Sequence, residues 1–344
     1  MSPSFDDGDD GWKGRRVLVT GAAGFIGSHL TERLARAGAE VRVLTRYNSR
    51  GARGWLDALP REVESAVEVH AGDVRDRDFV MRATAGREVV FHLAALIAIP
   101  YSYHAPESYL DTNAKGTLNV AQACLSHGVD RMVHTSTSEV YGTARFVPMT
   151  EEHPLQGQSP YSASKIAADM LVQSFVASFQ LRAATLRPFN TFGPRQSARA
   201  VIPSIIVQAL SEEARREGRA RIRLGALHPT RDFNYVDNTV DAFLAVARAD
   251  AAIGEIVNAG LGEEIAIRDL VTKISRAAGV AIEVEEEAAR LRPKDSEVDR
   301  LCADASKIRR LCGWVPRVTV DEGLARTTAW FRDHQHLYRT QYQL

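Results

Sequence analysis

The stretch "VLVTGAAGFIGSHL", residues 17–30, constrains this chain more than any other, because an apolar strand-like run breaks into three glycines and resumes as an amphipathic segment. Such spacing predicts strand, tight turn and helix in immediate succession. Glycines at those positions let backbone come close, so the first turn of the helix can hold a pyrophosphate on its free N–H groups. The expected cradle is Gly21, Gly24, Phe25, Ile26 and Gly27; a bare strand-to-helix turn is the alternative.

Downstream, the short runs "VRVLT", "VEVHAGD", "VVFHLAA", "RMVHTS" and "AATLRPFN" alternate with stretches of helical period such as "NAKGTLNVAQACLSHG". Strands interleaved with helices imply an α/β fold, a Rossmann-like doubly wound parallel sheet. Sheets of that kind bind ligands beyond the carboxyl ends of their strands. Candidate cofactor contacts at those ends are Asp73, Val74, Leu93, Ala94, Ala95 and Pro188. After about residue 190 the alternation loosens, which predicts a smaller C-terminal α/β substrate-binding lid. The expected division is a tail over 1–14, a dinucleotide domain over 15–190 to which 232–260 returns, a lid over 191–231 and 261–335, and a tail over 336–344.

Composition matters mainly for what it excludes. With 43 basic and 43 acidic residues the chain has no net field to draw nucleic acid or a membrane surface. Cys124, Cys302 and Cys312 show no paired or metal-ligand spacing, so no metal is expected and reduced thiols in a cytoplasmic protein are. No run reaches the roughly 18 apolar residues of a membrane span.

Two features bear on chemistry. The second strand ends in Thr45 and Arg46, where an NAD site usually offers an acid to the ribose. Arg46, with Arg50 nearby, suits the 2′-phosphate of NADP; a solvated arginine beside NAD is the other reading, so the cofactor is NAD(P). Asp73 is placed to reach the adenine amine, unless it is an ordinary strand-end aspartate. In "SPYSASKIAADML", Tyr161 and Lys165 lie four apart on a helix that Pro160 can open, which puts both on one face. A phenol has a pKa near 10, so acting as a base at neutrality needs a shift of roughly 3 units, about 4 kcal/mol. An ammonium one turn away and the positive ring of an oxidised nicotinamide can supply it.

In order, "TGAAGFIG", "STSEVYG", "YSASK", "RPFNTFGPR", "RDFNYVDN" and "RPKDSEVDR" make the chain resemble the extended short-chain dehydrogenase/reductases that act on nucleotide sugars. The resemblance spans roughly Arg15 to Phe331. It implies that Tyr161 deprotonates a sugar hydroxyl while the nicotinamide takes hydride from the same carbon, that Lys165 assists, and that Thr137 hydrogen-bonds the reacting hydroxyl. Glu139 is the informative departure from family 4-epimerases, which generally carry small, non-acidic residues there. Once C4 is a ketone the C5 proton becomes acidic, and a carboxylate beside it can remove that proton as water leaves C6. Ser138 stands where dTDP-glucose dehydratases have an aspartate for the departing hydroxyl. The Thr-Ser-Glu triplet looks like that of GDP-mannose 4,6-dehydratases, yet nucleotide-uronate decarboxylases share it, so both reactions remain open at this point. Longer stretches are most similar to dehydratases of legionaminic-acid-type pathways, which act on UDP- or GDP-linked N-acetylglucosamine.

The same resemblance implies substrate contacts at Asn190, Arg199, Arg231 and Arg292, the last two as pyrophosphate holders, with Arg195 in the same loop as Arg199. Asn113 is expected to brace the Lys165 region through backbone and water. The apolar faces of the Asn113 and Tyr161 helices imply a homodimer through a four-helix interface, unless they serve the core alone. A 4-epimerase or uronate decarboxylase on the same scaffold, and a non-catalytic dinucleotide sensor, are the competing functions.

Overall fold

The computed structural model describes residues 10–287 and 298–338. Seven strands form a parallel sheet: Arg16–Thr20 (β1), Glu40–Arg46 (β2), Val67–Gly72 (β3), Val89–His92 (β4), Arg131–Thr135 (β5), Ala183–Pro188 (β6) and Ile256–Ala259 (β7). Their spatial order is β7-β6-β5-β4-β1-β2-β3. The winding reverses between β1 and β4, whose register sets Thr20 beside His92. A crevice therefore opens at their carboxyl ends.

Both faces of the sheet are covered. Successive side chains of a strand point to opposite faces, so Val17, Val19, Val43 and Phe91 pack against Phe25–Arg36 (α1) and the later helix Val236–Arg248. Leu18, Leu44, Val90 and Met132 face Arg77–Thr84 (α2), Gly116–Ser126 (α3) and Pro160–Phe179 (α4). Numbered in chain order, Val236–Arg248 is α5. Burying each such side chain contributes about 1.5–3 kcal/mol, which is why these strands read as continuous apolar runs.

Residues beyond β6 build smaller layers around the crevice. Asn190–Phe192 pairs parallel with Phe233–Tyr235, Thr230–Arg231 pairs antiparallel with Ile265–Ala266, and Arg219–Leu224 pairs parallel with Ala281–Glu286. Ile256–Ala259 lies within the main sheet beside β6.

The described residues at each end pack against the rest of the chain. Asp10–Trp12 forms a 3-10 turn with Trp12 only 2% exposed and its ring 5.8 Å from that of Phe91. At the other end Gln335–Leu337 is a further turn, and Tyr338 packs against Phe331 with ring centroids 4.5 Å apart. Trp12 finds a buried site and Tyr338 a partly buried one against the core, which outweighs the polar composition around them. Among the described residues no helix is long and apolar enough to cross a membrane.

Candidate active site

The glycine turn has the geometry of a phosphate cradle. Gly21 sits at φ +73°, and a Cβ there would lie 2.6 Å from the Ala94 nitrogen and the Leu93 carbonyl carbon, so the end of β4 presses against the turn. At Gly27 a Cβ would lie 2.3 Å from the Gly21 oxygen. Phe25 and Ile26 open α1, whose cap Gly24 offers no side chain and whose first turn holds no acid. The amide dipoles of that terminus thus point at the crevice unopposed. Substituting Gly27 by alanine forces backbone apart. We expect a stability loss of about 1–3 kcal/mol and loss of bound dinucleotide, read by thermal melting and by mass spectrometry of the ligand released on denaturation.

At the edge beyond β2, Arg46 is exposed, with Arg50 in the turn that follows. Asp73 does not stand alone there: its carboxylate takes Arg75 Nη2 at 2.7 Å and Arg75 Nε at 3.0 and 3.1 Å. Those bonds hold Asp73 below its ordinary pKa, and an adenine amine would have to share the carboxylate with Arg75. Val74 is buried behind it. Nearby, the Trp55 amide donates to the Ala23 carbonyl at 3.1 Å, and the Trp55 ring packs edge-on to Trp330. Trp330, from a helix near the C-terminus, thus packs on the residue that bonds the phosphate turn, a contact that spacing along the chain does not reveal.

Beyond β5, Thr137 caps a 3-10 turn, Ser138–Tyr141, by accepting the Glu139 amide at 3.2 Å. The Thr137 hydroxyl also bonds the Tyr161 phenol. Ser138 is buried and Glu139 half-buried in that turn. Tyr161 and Lys165 share a face of α4, which Pro160 begins inside a Ser159–Ser162 capping box. Lys165 Nζ donates to the Thr135 carbonyl at 2.6 Å. Burial pushes the Tyr161 phenol above its ordinary value; the Thr137 bond eases that rise, and the Glu139 charge adds to it. Burial lowers Lys165 to about 8, against the pull of Asp169.

Asn113 reaches its position through a π-turn over Leu110–Lys115. Its amide accepts the Leu96 amide at 2.8 Å and donates to the Leu96 carbonyl and to Ser164 Oγ, each at 2.9 Å. The brace runs directly through Ser164, beside Lys165. Tyr109, which sequence reasoning missed, packs its ring edge-on to Tyr161 at 6.2 Å and donates to the Ala98 carbonyl at 2.5 Å.

On the substrate side, Pro188 ends β6 and Asn190 Oδ1 is a buried acceptor with no hydrogen-bond partner among the described residues. Arg231 is buried and donates to the Thr230 carbonyl. Arg199 is exposed, and its charge acts on the Tyr109 phenol. Arg195 instead belongs to the frame, since its Nη2 donates to Glu32 of α1 at 2.6 Å while His29 donates to the Pro194 carbonyl at 2.9 Å. Arg292 lies outside the described residues.

A family model described as GDP-mannose 4,6 dehydratase matches residues 18–327, a span that includes the glycine turn, Thr137, Glu139, Tyr161 and Lys165. The chain belongs to that family. Within it, the chain is 36% identical over 320 residues to a UDP-glucose 4-epimerase of Mycolicibacterium smegmatis, covering 92% of this chain and 99% of the relative. A dTDP-glucose 4,6-dehydratase of Streptomyces antibioticus is 33% identical over 325 residues, 93% of each chain. DesIV, a dTDP-glucose 4,6-dehydratase from Streptomyces venezuelae solved with NAD bound, superposes with a TM-score of 0.80 at 29% identity, over 94% of this chain and 98% of that one. The protein is thus an enzyme-family member of the nucleotide-sugar 4,6-dehydratase and 4-epimerase type on a Rossmann fold. The glycine cradle that a Cβ would fill, set at an uncapped helix terminus, fits the dinucleotide such enzymes use.

Proposed function

We propose that this family member is a nucleotide-sugar 4,6-dehydratase, converting an NDP-N-acetylglucosamine or similar NDP-hexose to its 4-keto-6-deoxy form. One observation carries the reading: the Glu139 carboxylate lies in the turn that Thr137 caps, near enough to Tyr161 for its charge to oppose ionisation of the phenol. A nicotinamide dinucleotide held at the Gly21–Gly27 cradle would supply the reversible hydride chemistry that this conversion needs. Tyr161 takes the C4 hydroxyl proton, with Thr137 holding that hydroxyl and the Lys165 ammonium stabilising the phenolate. Glu139 then takes the proton from C5, acidified by the new ketone, and passes it to the C6 hydroxyl as that group leaves as water. Ser138 is too weak an acid for that second transfer. The proton first held by Tyr161 returns through solvent to C5, so the net change is loss of one water. Asn190, with its unpartnered acceptor, and Arg199, Arg231 and Arg292 are the proposed substrate contacts.

Product mass tests this. Incubation with UDP- and GDP-N-acetylglucosamine is expected to give loss of water. Unchanged mass with an inverted C4 would instead support the epimerase reading, which the 36% identical relative favours. Loss of carbon dioxide from a uronate, with neither hexosamine touched, would replace both.

Three finer assignments belong to the same reading. The cofactor is NAD(P), with Arg46 the residue placed to neutralise the 2′-phosphate of NADP. Arg46→Asp is then expected to exchange NADP for NAD in the ligand mass released on denaturation, and NAD in the wild-type protein would refute that role for Arg46. Leu110, Leu125, Met170 and Phe179 are exposed on the Asn113 and Tyr161 helical segments, and apolar side chains left exposed there support a homodimer through a four-helix interface. Met170→Glu is expected to sediment as a monomer while the wild type sediments as a dimer. Three free cysteines accord with the reducing cytoplasm.

A further inference from the structure

Beneath the catalytic pair lies a set of charges that the reaction does not touch. Asp169 follows Lys165 by one turn of α4 and is wholly buried. Its Oδ2 accepts Ser136 Oγ at 2.7 Å, Arg187 Nη2 at 2.9 Å and Arg187 Nε at 3.1 Å, while its Oδ1 faces His134 Nε2 at 3.2 Å. Arg187, 1% exposed, continues to the Tyr141 phenol at 2.9 Å, and that phenol donates to Asn258 Oδ1 at 2.7 Å. That carboxylate thus bonds one buried cation, Arg187, and lies one helical turn from a second, Lys165, whose Nζ donates to the Thr135 carbonyl.

Among the described residues Asp169 is the anion whose charge acts on Lys165. From β4 comes His92 and from β5 His134, both held neutral by burial, His134 down at about 4. Arg187 of β6 acts on His134, while Glu139 of the 3-10 turn and Tyr109, just before the π-turn, act on Tyr161. Of the two cations, a guanidinium keeps its proton under all ordinary conditions and an ammonium does not. If the carboxylate were lost, Arg187 would stay charged and Lys165 would be the group that neutralises.

We infer that Asp169 is a positioning residue for the proton on Lys165: its buried carboxylate keeps the ammonium charged next to Arg187, and through that charge it makes Tyr161 ionisable. The inference rests on Tyr161 as the base, though not on any sugar or on dehydration. The sign of the effect identifies its route. Asp169 acting directly on Tyr161 raises the phenol's pKa, so losing the carboxylate through space alone would make Tyr161 easier to ionise. An effect through Lys165 runs the other way.

The test is an ultraviolet difference titration of tyrosinate in cofactor-loaded protein, with the same titration of Tyr161→Phe subtracted to isolate one phenol. No substrate is needed, so an error in the substrate assignment leaves the result standing. Asp169→Asn is expected to lower the Tyr161 ionisation constant about tenfold or more. Ser136→Ala, which removes one neutral hydrogen bond and no charge, should leave it within about threefold. Because Asp169→Asn strands a buried arginine, a second comparison sets Arg187→Gln against Arg187→Gln/Asp169→Asn, where no unpaired guanidinium remains. There too, loss of the carboxylate should lower the constant. An unchanged or increased constant in either folded pair, or an equal shift from Ser136→Ala, overturns the inference.

Discussion

Glu139→Gln is expected to leave C4 oxidation intact and to stop water loss. The variant keeps the size of the side chain and the 3-10 turn, because Thr137 caps that turn through the backbone amide of residue 139, which the substitution does not alter. It removes only proton-accepting capacity. A positioned general base contributes roughly a hundred- to ten-thousandfold, so dehydration should fall by that factor. Reduced-cofactor absorbance, transient in the wild type, should persist in the variant as the hydride finds no C6 acceptor. Retained dehydration would mean that another group takes the C5 proton and that the dehydratase reading has lost its base.

Tyr161→Phe is expected to abolish both half-reactions at once. No reduced cofactor should accumulate with any NDP-hexose, a fall of about 10²–10⁴ in the first step, because the C4 hydroxyl loses the group that takes its proton. The fold should survive, since the ring still packs against Tyr109 and removing one phenol of a Thr137 bond costs about 1 kcal/mol. The pH dependence should follow from the same contacts. Burial holds Lys165 at about 8, so the ammonium that supports the phenolate is lost as pH rises through that value. Wild-type activity is expected to decline on the alkaline side with a midpoint near there. A rate that stays level to pH 10 would detach Lys165 from the reaction.

The two predictions differ in how far they depend on distant parts of the chain. Tyr161 and Lys165 are related by one turn of one helix, and Gly21, Gly24 and Gly27 by one turn between a strand and a helix; both relations are set by backbone geometry over a few residues. The same holds for the alternation that implied a parallel sheet. Asn113, Asp73 and Arg195 stood out as residues, yet the partners they take are Ser164, Arg75 and Glu32. Asp73 was expected at an adenine and is shared with Arg75 because the two lie in one tight turn. Arg195, in the loop that also carries Arg199, ties that loop to α1 through Glu32.

Local periodicity and short-range spacing were thus enough to specify the strand and helix order, the phosphate turn and the Tyr161/Lys165 face, because each depends on dihedral preferences and side-chain direction within a single element or turn. The charge group of Asp169, Arg187, Tyr141 and Asn258 was not specified in that way. Its members come from α4, β6, a 3-10 turn and β7, and nothing in their separations along the chain says that they meet. Burial forces the meeting: once the sheet order sets β5 between β4 and β6, a carboxylate without water must find every one of its donors among neighbours that only the winding of the sheet supplies.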